Sequence, residues 1–254
     1  TPTWTETATA TATASSTVTA SYTHTPSATP SNTASPAGQA TLTATPTATT
    51  CSAGFSDVSS SDYFYEAVGW LYCHGAISGY GDGTFRPYNL LTRGQMCKIT
   101  VLGFGLTVWS PPTCNFVDCS SAYQPYIETL YHAGVVSGYD CGAGCLEFRP
   151  NANVTRGQVA KIVTLTGITF RGWPILDPIG ATFRDVPAGS PFYSYVETAY
   201  CHGLISGYSC GGQAEPCPGL YFRPNGSTTR GQVSKIVYGG TLSGPACGSR
   251  GGRR

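Results

Sequence analysis

Charged side chains are scarce in this chain of 254 residues: Asp, Glu, Lys and Arg make up 11% of it, and the net charge is +1. Proteins that hold nucleic acid present a dense positive field, so this composition argues against a nucleic-acid partner. Long apolar runs are also missing, because no window offers the roughly 18 apolar residues of a membrane-spanning helix. Residues 1–50 lack the basic start and apolar centre of an export signal, and we expect the chain to be the mature form of an exported protein.

Catalytic and metal-binding motifs are absent as well. The sequence contains no Gly-x-Ser-x-Gly elbow, phosphate-binding loop, His-Glu-x-x-His motif or repeated pair of carboxylates. His74 and His202 each follow a cysteine, but no second Cys/His pair supplies the four converging ligands of a zinc site. We therefore predict that the chain is not an enzyme and holds no metal and no cofactor, covalently attached glycans aside.

Cysteine, by contrast, is abundant. Eleven cysteines, several of them four to seven positions apart in glycine-rich loops, indicate an oxidising, extracellular environment. We predict three local disulfides and a fourth, longer bridge between two helices: Cys141–Cys145, Cys210–Cys217, Cys114–Cys119 and Cys73–Cys97. Cys51, Cys201 and Cys247 are left without an assigned partner. Because the total is odd, one thiol stays free or bonds another chain.

The first fifty residues differ in composition from the rest and form a separate segment, the N-terminal arm. They are nearly all Thr, Ala, Ser and Pro, and Glu6 is their one charged residue. Such a segment cannot bury a core of its own, and its prolines oppose helix, so we expect an extended or polyproline-like path. At about 3.1 Å per residue the arm could reach roughly 150 Å.

Two interpretations of the arm are open. One is a disordered linker, and the other is an O-glycosylated stalk, which dense Thr and Ser with interspersed Pro favours. Threonine occupies every second position from Thr5 to Thr13, which is the period of a β-strand. The glycosylation candidates are the threonines of two alternating runs: Thr5, Thr7, Thr9, Thr11, Thr13, Thr41, Thr43, Thr45 and Thr47. We further hypothesise that glycans or a neighbouring subunit's groove hold the arm, so that molecules join head to tail in a filament.

Beyond Cys51 the sequence contains three copies of one pattern. Each copy has, in the same order, a Phe-x-Asp motif, a Gly-x-x-Ser-Gly-Tyr motif, a Phe-Arg-Pro motif and a Thr-Arg-Gly-Gln motif. These motifs begin at Phe55, Gly75, Phe85 and Thr92, then at Phe116, Gly134, Phe148 and Thr155, and finally at Phe183, Gly203, Phe222 and Thr229. Four motifs in one order, three times over, define an internal repeat.

This pattern resembles the S-layer homology family, in which Phe-x-Asp-Val, a helix, a Gly-Tyr-x-Asp-Gly-Thr-Phe-Arg-Pro turn and Thr-Arg-Ala-Glu follow one another. The resemblance covers roughly residues 54 to 240. It implies a mainly α fold of three helix-loop-helix repeats in a pseudo-threefold arrangement, on a bacterial surface protein that grips acidic, often pyruvylated, wall polysaccharide. The chain departs from the family in the last motif, where Gly replaces Ala and Gln replaces Glu.

The residues alone predict the same local structure. Apolar and aromatic residues recur at three- and four-residue spacing, which predicts short core-facing helices over 65–77, 126–136 and 195–205. Gly75, Gly134 and Gly203 follow where a helix C-terminus needs positive φ. In each Thr-Arg-Gly-Gln motif the Thr and the Gln fit a capping box that opens a second helix.

Ligand binding is predicted at the start of each second helix. Arg93, Arg156 and Arg230 occupy the first helical position, where free N–H groups and the helix dipole favour an anion. The resemblance implies that these arginines bind the acidic glycan, and we add the glycines of the Ser-Gly-Tyr turns to the predicted site: Gly79, Gly138 and Gly207. The alternative is that each arginine pairs with an acidic residue of the adjacent repeat and locks the three repeats together.

A second set of arginines lies in the Phe-Arg-Pro motifs, at Arg86, Arg149 and Arg223. We predict that these are structural and bond carbonyl groups of their loops. Trp70 and the tyrosines of the Gly-Tyr turns, at Tyr80, Tyr139 and Tyr208, either stack on sugar rings or belong to the core.

These inferences divide the chain into an arm at 1–50, repeats at 51–110, 111–178 and 179–247, and a basic tail at 248–254. We predict a non-catalytic extracellular structural glycoprotein of the bacterial cell surface, which assembles with copies of itself into a filament or surface layer through the arm. The alternative is a cell-wall anchor whose repeats bind acidic polysaccharide while the arm serves as a spacer.

Overall fold

A computed structural model of the protein describes residues 51–119 and 122–247. These residues form six helices and four short strands, in the order α1 (Tyr65–Cys73), α2 (Arg93–Gly103), α3 (Gln124–His132), β1 (Tyr139–Gly142), β2 (Cys145–Glu147), α4 (Arg156–Arg171), α5 (Tyr193–Cys201), β3 (Tyr208–Ser209), β4 (Leu220–Tyr221) and α6 (Arg230–Leu242). The prediction of a mainly helical chain built from helix-loop-helix repeats is confirmed. The predicted arm at 1–50 and basic tail at 248–254 lie outside the described residues, and what we predict of them stays a prediction.

The first helix of each repeat, α1, α3 or α5, is nine residues long and buries one apolar face. The predicted helices extended to Ile77, Val136 and Ile205, which is too far. Each helix ends earlier because a glycine follows its last turn in the left-handed region, with φ of 69° at Gly75, 70° at Gly134 and 73° at Gly203. The predicted positive φ of these glycines is therefore confirmed.

The second helix of each repeat, α2, α4 or α6, begins with a complete capping box. In α2 the Oγ1 atom of Thr92 accepts a hydrogen bond from the Gln95 backbone N–H at 3.3 Å, and the Gln95 Oε1 atom accepts one from the Thr92 N–H at 3.0 Å. The same reciprocal bonds open α4 and α6. The predicted capping boxes are confirmed in all three repeats, because each Gln supplies the acceptor that Glu supplies in the family pattern.

The loops between the two helices differ among the repeats. In repeat 1 the turn is short, and the Asp82 carboxylate accepts hydrogen bonds from the Thr84 N–H and hydroxyl. In repeats 2 and 3 the loop contains an antiparallel pair of strands, β1 with β2 and β3 with β4, which the sequence patterns did not predict. The predicted disulfides Cys141–Cys145 and Cys210–Cys217 close these two hairpins, each with a Cα separation of 5.2 Å.

The helices pack in a closed ring of contacts. The second helix of each repeat packs against the first helix of the following repeat, α2 on α3 and α4 on α5, and α6 of repeat 3 packs on α1 of repeat 1. The three second helices also contact one another at the centre. One apolar core, with Leu71, Met96 and Val163 fully buried, therefore runs through all three repeats.

Disulfides attach both ends of the ring to first helices. Cys51 bonds Cys73 at the end of α1, with a Cα separation of 5.7 Å, and Cys247 bonds Cys201 at the end of α5, with a Cα separation of 5.4 Å. The predicted Cys114–Cys119 bond is present, but the predicted bond between Cys73 and Cys97 is wrong. Cys97 is fully buried on α2 and is the one free cysteine of the eleven. Because this thiol is buried, it is not accessible for the predicted alternative of a bond to another chain, and burial also raises its pKa to about 12.

Glycines of the Thr-Arg-Gly-Gln motifs let an aromatic ring of the next repeat approach the helix. A Cβ atom added at Gly94 would lie 2.7 Å from a ring carbon of Tyr123, one at Gly157 would lie 2.8 Å from Phe192, and one at Gly231 would lie 2.7 Å from Phe64. Real Cβ atoms do not approach so closely. The replacement of the family's Ala by Gly is therefore explained by packing between repeats.

We expect the change Gly231→Ala to lower the free energy of unfolding by about 1–2 kcal/mol, because the added methyl group overpacks the contact with the fully buried ring of Phe64. Thermal or denaturant unfolding would measure the loss. The matched control is Gly69→Ala in α1, where an added Cβ meets no atom within 4 Å. Alanine there should raise stability by about 0.5–1 kcal/mol through its better helix propensity. Equal stability of the two variants would contradict the packing argument.

Candidate functional site

A backbone clamp that recurs in all three repeats positions each Phe-Arg-Pro loop. The aspartate of each Phe-x-Asp motif accepts two backbone hydrogen bonds, one from the Phe and one from the Arg of its own repeat. In repeat 3 the two oxygens of Asp185 accept from the Phe222 and Arg223 N–H groups at 2.7 and 2.6 Å. The clamp holds the arginine in the left-handed region, with φ of 57° at Arg86 and 59° at both Arg149 and Arg223.

The Phe-Arg-Pro arginines bond carboxylates and not loop carbonyls, so that detail of the sequence prediction is wrong. Each pairs with an acidic residue of its own loop: Arg86 with Asp82 at 3.0 Å, Arg149 with Glu147 at 3.0 Å and Arg223 with Glu215 at 2.7 Å. Hydrogen bonds from Thr84 and Arg86 hold the pKa of Asp82 at about 2. The same arginines stack over the tyrosine of the Gly-Tyr turn, with guanidinium-to-ring distances of 3.9 to 4.5 Å. These contacts agree with the predicted structural role.

The arginines predicted to bind a ligand are buried and cross from one repeat to the next. Arg93 Nε donates to the Phe148 carbonyl at 2.9 Å, Arg156 Nε to the Phe222 carbonyl at 2.7 Å, and Arg230 Nε to the Phe85 carbonyl at 2.8 Å. Repeat 1 thus bonds repeat 2, repeat 2 bonds repeat 3, and repeat 3 bonds repeat 1. The alternative prediction placed these arginines in contacts between adjacent repeats, and that is where they lie. Their partners, however, are carbonyl groups and not acidic side chains.

The helix N-terminus is not free to bind an anion, contrary to the reasoning from sequence. The Arg93 and Gly94 N–H groups donate to the carbonyls of Ala152 and Pro150 in the next repeat, each at 2.9 Å. The first two N–H groups of α4 and of α6 make the equivalent bonds to residues 226 and 224, and to residues 89 and 87. The first two N–H groups of α2, α4 and α6 are therefore not available to an anion.

Three grooves lie at the junctions between repeats and bring side chains of different repeats together. Groove 1, of about 80 Å³, is lined by Gln95, Lys98, Tyr123 and Arg230. Groove 2, of about 210 Å³, is lined by Arg93, Tyr139, Gln158, Lys161 and Phe192. Groove 3, of about 430 Å³, is lined by Tyr63, Arg156, Tyr208, Gln232 and Lys235. Each groove thus combines the arginine of one repeat, the lysine and glutamine of the next, and an aromatic ring of the third.

The three grooves are positively charged. Lys98, Lys161 and Lys235 are the only lysines of the whole sequence, and each lines one groove. No acidic residue lines any groove in the described part of the chain. The nearby aspartates are already bonded by the backbone clamps, and among residues 51–119 and 122–247 none of Arg93, Arg156 and Arg230 forms a salt bridge. Loss of hydration on burial lowers the pKa of all three of these guanidinium groups.

The sequence of the three repeats matches a known family at the same positions. The profile of the S-layer homology domain matches residues 54–97, 117–160 and 182–234. The chain belongs to the S-layer homology domain family. The suspected resemblance is confirmed, and the three repeats are S-layer homology (SLH) repeats.

Several characterised proteins are similar to these SLH repeats. An endoglucanase of Bacillus sp. (strain KSM-635) is 29% identical over 184 residues, which are 72% of this chain and 18% of the endoglucanase. The surface-layer 125 kDa protein of Lysinibacillus sphaericus is 28% identical over 183 residues, which are 72% of this chain and 14% of that protein. A cellulosome-anchoring protein of Acetivibrio thermocellus is 27% identical over 154 residues, which are 58% of this chain and 32% of that protein. The chain spans less than a fifth of the first two relatives.

The predicted glycines have a packing role at the edge of the grooves. A Cβ at Gly138 would lie 2.6 Å from the Phe116 ring and 2.9 Å from the Glu147 carbonyl, and Gly79 and Gly207 are equally confined. Gly138 and Gly207 line grooves 2 and 3, whereas Gly79 is not among the residues that line groove 1. Their predicted part in binding stays a prediction.

The groove lysines are functional candidates that the sequence reasoning missed. The sequence patterns above assign them no role, although each follows a capping Thr by six residues and the sequence contains no other lysine. Tyr63 was also missed, because it has no counterpart motif in the other repeats.

One group of metal-ligand side chains exists among the described residues. Single ligand atoms of Cys114, Cys119 and Glu128 lie within 4.8 Å of one another. The two cysteines are bonded to each other, and the buried Glu128 accepts hydrogen bonds from the Asn115 N–H and Nδ2 at 2.8 and 2.7 Å. Glu197 makes the equivalent bonds to Thr182 in repeat 3, where no cysteine is present. The cluster is thus accounted for as a structural feature.

No helix within the described ranges is long and apolar enough to cross a membrane.

Proposed function

We propose that this chain is a non-catalytic extracellular protein of the bacterial cell surface, whose SLH repeats hold acidic wall polysaccharide in the three grooves. One observation carries the proposal: every lysine of the sequence lines a groove, together with a buried arginine that has no carboxylate partner among the described residues. Binding of wall polysaccharide is what membership of the SLH family leads us to expect. The surface-layer and cellulosome-anchoring relatives support the location.

An acidic sugar would complete the interactions that each groove leaves open. Arg93 uses one of its five N–H donors on a protein carbonyl, and Arg156 and Arg230 each use two, so donors remain for a carboxylate or phosphate. The aromatic rings at the groove walls provide flat apolar surfaces for a sugar ring. We further propose that the ring of contacts places the three SLH repeats in a pseudo-threefold arrangement, which would present the grooves at regular intervals to a polymer.

Replacing Lys98, Lys161 and Lys235 together by Gln should weaken binding to purified wall polysaccharide by about tenfold or more, because a charge-assisted hydrogen bond contributes about 1.5 kcal/mol. Co-sedimentation with wall preparations, or calorimetry with the released polysaccharide, would measure the change. Raising the salt concentration should weaken wild-type binding more steeply than binding of the triple variant, which keeps only the three groove arginines.

The control removes two positive charges elsewhere, by changing the exposed Arg171 and Arg184 to Gln. Polysaccharide binding should survive in this double variant. The polysaccharide proposal fails if the triple lysine variant, folded by circular dichroism, binds as tightly as the wild type.

We propose assembly of a filament or surface layer as a second, structural function, with the glycosylated arm as the connector. The composition of residues 1–50 and the strand-like alternation of Thr5 to Thr13 support it. Electron microscopy of native material, with intact-mass analysis of this segment, tests it. Fibres with a mass excess on the arm are expected, and discrete particles with an unmodified arm would leave polysaccharide binding as the function.

A further inference from the structure

The first helices of repeats 2 and 3 are covered by the extended segment that precedes each repeat. On α3 the Thr129 hydroxyl accepts a hydrogen bond from the Trp109 N–H at 2.8 Å, and on α5 Thr198 accepts one from Leu176 at 2.9 Å. The residue before each of these threonines is a buried glutamate, Glu128 or Glu197. Its carboxylate accepts a backbone hydrogen bond from the same entering segment. A Glu-Thr pair therefore fastens an extended chain across the helix.

Repeat 1 lacks this pair, and within residues 51–119 and 122–247 a cleft borders the equivalent helix face. Aligned by helix position, α1 has Gly69 and Trp70 where the other repeats have Glu and Thr. A cleft of about 310 Å³ opens there between residues 51–55 and α1, with Phe55, Val58 and Val68 among its lining residues. A Cβ atom at Gly69 would meet nothing within 4 Å. We call this space the Gly69 cleft.

The Cys51–Cys73 disulfide holds Cys51 at the end of α1, and residues 51–55 form one wall of the cleft. Cys51 precedes Phe55 by four residues and is bonded to the last residue of α1. In repeat 2 the equivalent helix position is His132, which stacks on Trp109 at a ring distance of 4.4 Å, and Trp109 precedes Phe116 by seven residues. In repeat 1 the contact with this helix position is therefore made three residues closer to the Phe-x-Asp motif than in repeat 2.

The wall of the cleft also has free backbone groups. Ser52, Ala53 and Gly54 form no backbone hydrogen bond with any other residue in the described ranges. A polypeptide edge of this kind accepts an added extended strand, which is held by main-chain bonds while alternate side chains point into the cleft. The narrow cleft and the missing side chain at Gly69 favour an incoming strand with small side chains.

We propose that the Gly69 cleft binds an extended Thr/Ala segment of the arm of a second copy of this chain. The proposal rests on the assembly function above and names the surface that receives the arm. The sequence alternates Thr with Ala from Thr7 to Thr13, so it supplies an extended segment of small residues. The chain's own path reaches the end of α1 already at Cys51, and an extended arm of fifty residues spans roughly 150 Å, enough to reach another molecule. Each copy carries one arm and one cleft, so such contacts can continue from molecule to molecule and form a fibre where the rotation between copies does not close a ring.

The decisive variant is Gly69→Glu in the full-length chain, which places in α1 the residue that α3 and α5 carry at this position. Sedimentation velocity over a range of concentrations should show concentration-dependent oligomers larger than a dimer for the wild type, and a monomer for Gly69→Glu. The melting temperature of the variant should not fall, because Glu is a better helix former than Gly and the position is open. Loss of assembly could then not be ascribed to unfolding.

The matched control is Gly81→Glu, at a loop glycine whose Cβ would also meet nothing within 4 Å. This variant should assemble as the wild type does. A wild type that remains monomeric at every concentration, or a Gly69→Glu variant that assembles normally, would overturn the proposal. Gly69→Glu should keep its binding to wall polysaccharide, so failure here is separable from failure of the groove function.

A crosslinking experiment determines whether the arm bound in the cleft belongs to the same molecule or to a second copy. A photoreactive benzoylphenylalanine in place of Tyr65, which lines the cleft and is 47% exposed, would be introduced into both ¹⁵N-labelled and unlabelled full-length chains. After mixing and illumination, crosslinks between position 65 and residues 1–50 that join a labelled with an unlabelled chain are expected. Crosslinks confined to chains of one label would show that a molecule's own arm fills the cleft, and the proposal would be wrong.

Discussion

Serine in place of both Cys201 and Cys247 is expected to lower the free energy of unfolding by about 4 kcal/mol. This disulfide joins residues 46 positions apart, and the chain-entropy estimate grows with the logarithm of the closed loop. The bond also attaches the end of α6's exit segment to α5, so its loss frees the C-terminal end of the ring of contacts. Denaturant unfolding at constant pH would measure the effect.

The matched comparison removes the Cys141–Cys145 disulfide in the same way. Its residues are only 4 positions apart, and the same estimate gives about 2 kcal/mol. The difference of about 2 kcal/mol between the two double variants tests whether the long disulfide acts by restricting the unfolded chain. Equal losses would contradict that explanation.

Changing Asp185 to Asn is expected to cost about 3 kcal/mol of stability. The two Asp185 oxygens accept the Phe222 and Arg223 N–H groups, and an amide can accept only one of these bonds while its NH₂ group opposes the other donor. The Phe222 carbonyl, which receives Arg156 from repeat 2, would lose its fixed position. The substitution would thus remove a bond that holds Arg223 in its left-handed conformation, and it would weaken the junction between repeats 2 and 3.

Asp177→Asn serves as the control, since Asp177 is exposed and precedes the same repeat. It should change stability by less than about 0.5 kcal/mol. Thermal unfolding of both variants, with near-ultraviolet circular dichroism to follow aromatic packing at the junctions, distinguishes them. A stable Asp185→Asn variant would show that the backbone clamp is not required for the fold.

The clamp and the crossing arginines together explain how the grooves are built. The aspartate of one repeat fixes its Phe-Arg-Pro loop, and the phenylalanine carbonyl of that loop accepts the arginine of the preceding repeat. The Gly-Tyr tyrosine lies between two guanidinium groups, as Tyr139 does between Arg93 at 5.0 Å and Arg149 at 4.5 Å. The arginines that line the grooves therefore also hold the repeats together, so changing them would affect binding and folding at once. The groove lysines are better targets for a test of binding alone.

The grooves are unequal, and side chains of repeat 1 explain part of the difference. Lys98 and Lys161 lie 6.0 and 5.4 Å from the rings of Tyr126 and Tyr195, which occupy one equivalent position on α3 and α5. On α1 that position is Ala67, and Lys235 instead lies 5.2 Å from Tyr63. Groove 3, the largest of the three, is thus the one in which this position is an alanine and not a tyrosine. If binding is dominated by one groove, we expect groove 3 to be that groove.

Much of the local structure could be predicted because it depends on residues close in sequence. The capping boxes need only a Thr and a Gln three positions later, and the hairpin disulfides join cysteines 4 and 7 positions apart. The repeat itself, and with it the SLH family, was evident because four motifs recur in a fixed order. The partner of Cys73 was not evident, since Cys51 lies 22 positions away in a segment without periodic pattern.

The sequence by itself determined the helices, their caps, the hairpin disulfides and the threefold repetition, because each follows from contacts within a few turns of chain. Only the tertiary structure decided the role of Arg230, whose partner carbonyl at Phe85 is 145 residues away. A helix N-terminus that seems free in the sequence is bonded once the ring of repeats closes, and a lysine that seems to be a surface residue lines a groove. Sequence patterns report what a residue's near neighbours require, whereas the ring decides which distant groups remain unbonded and can meet a ligand.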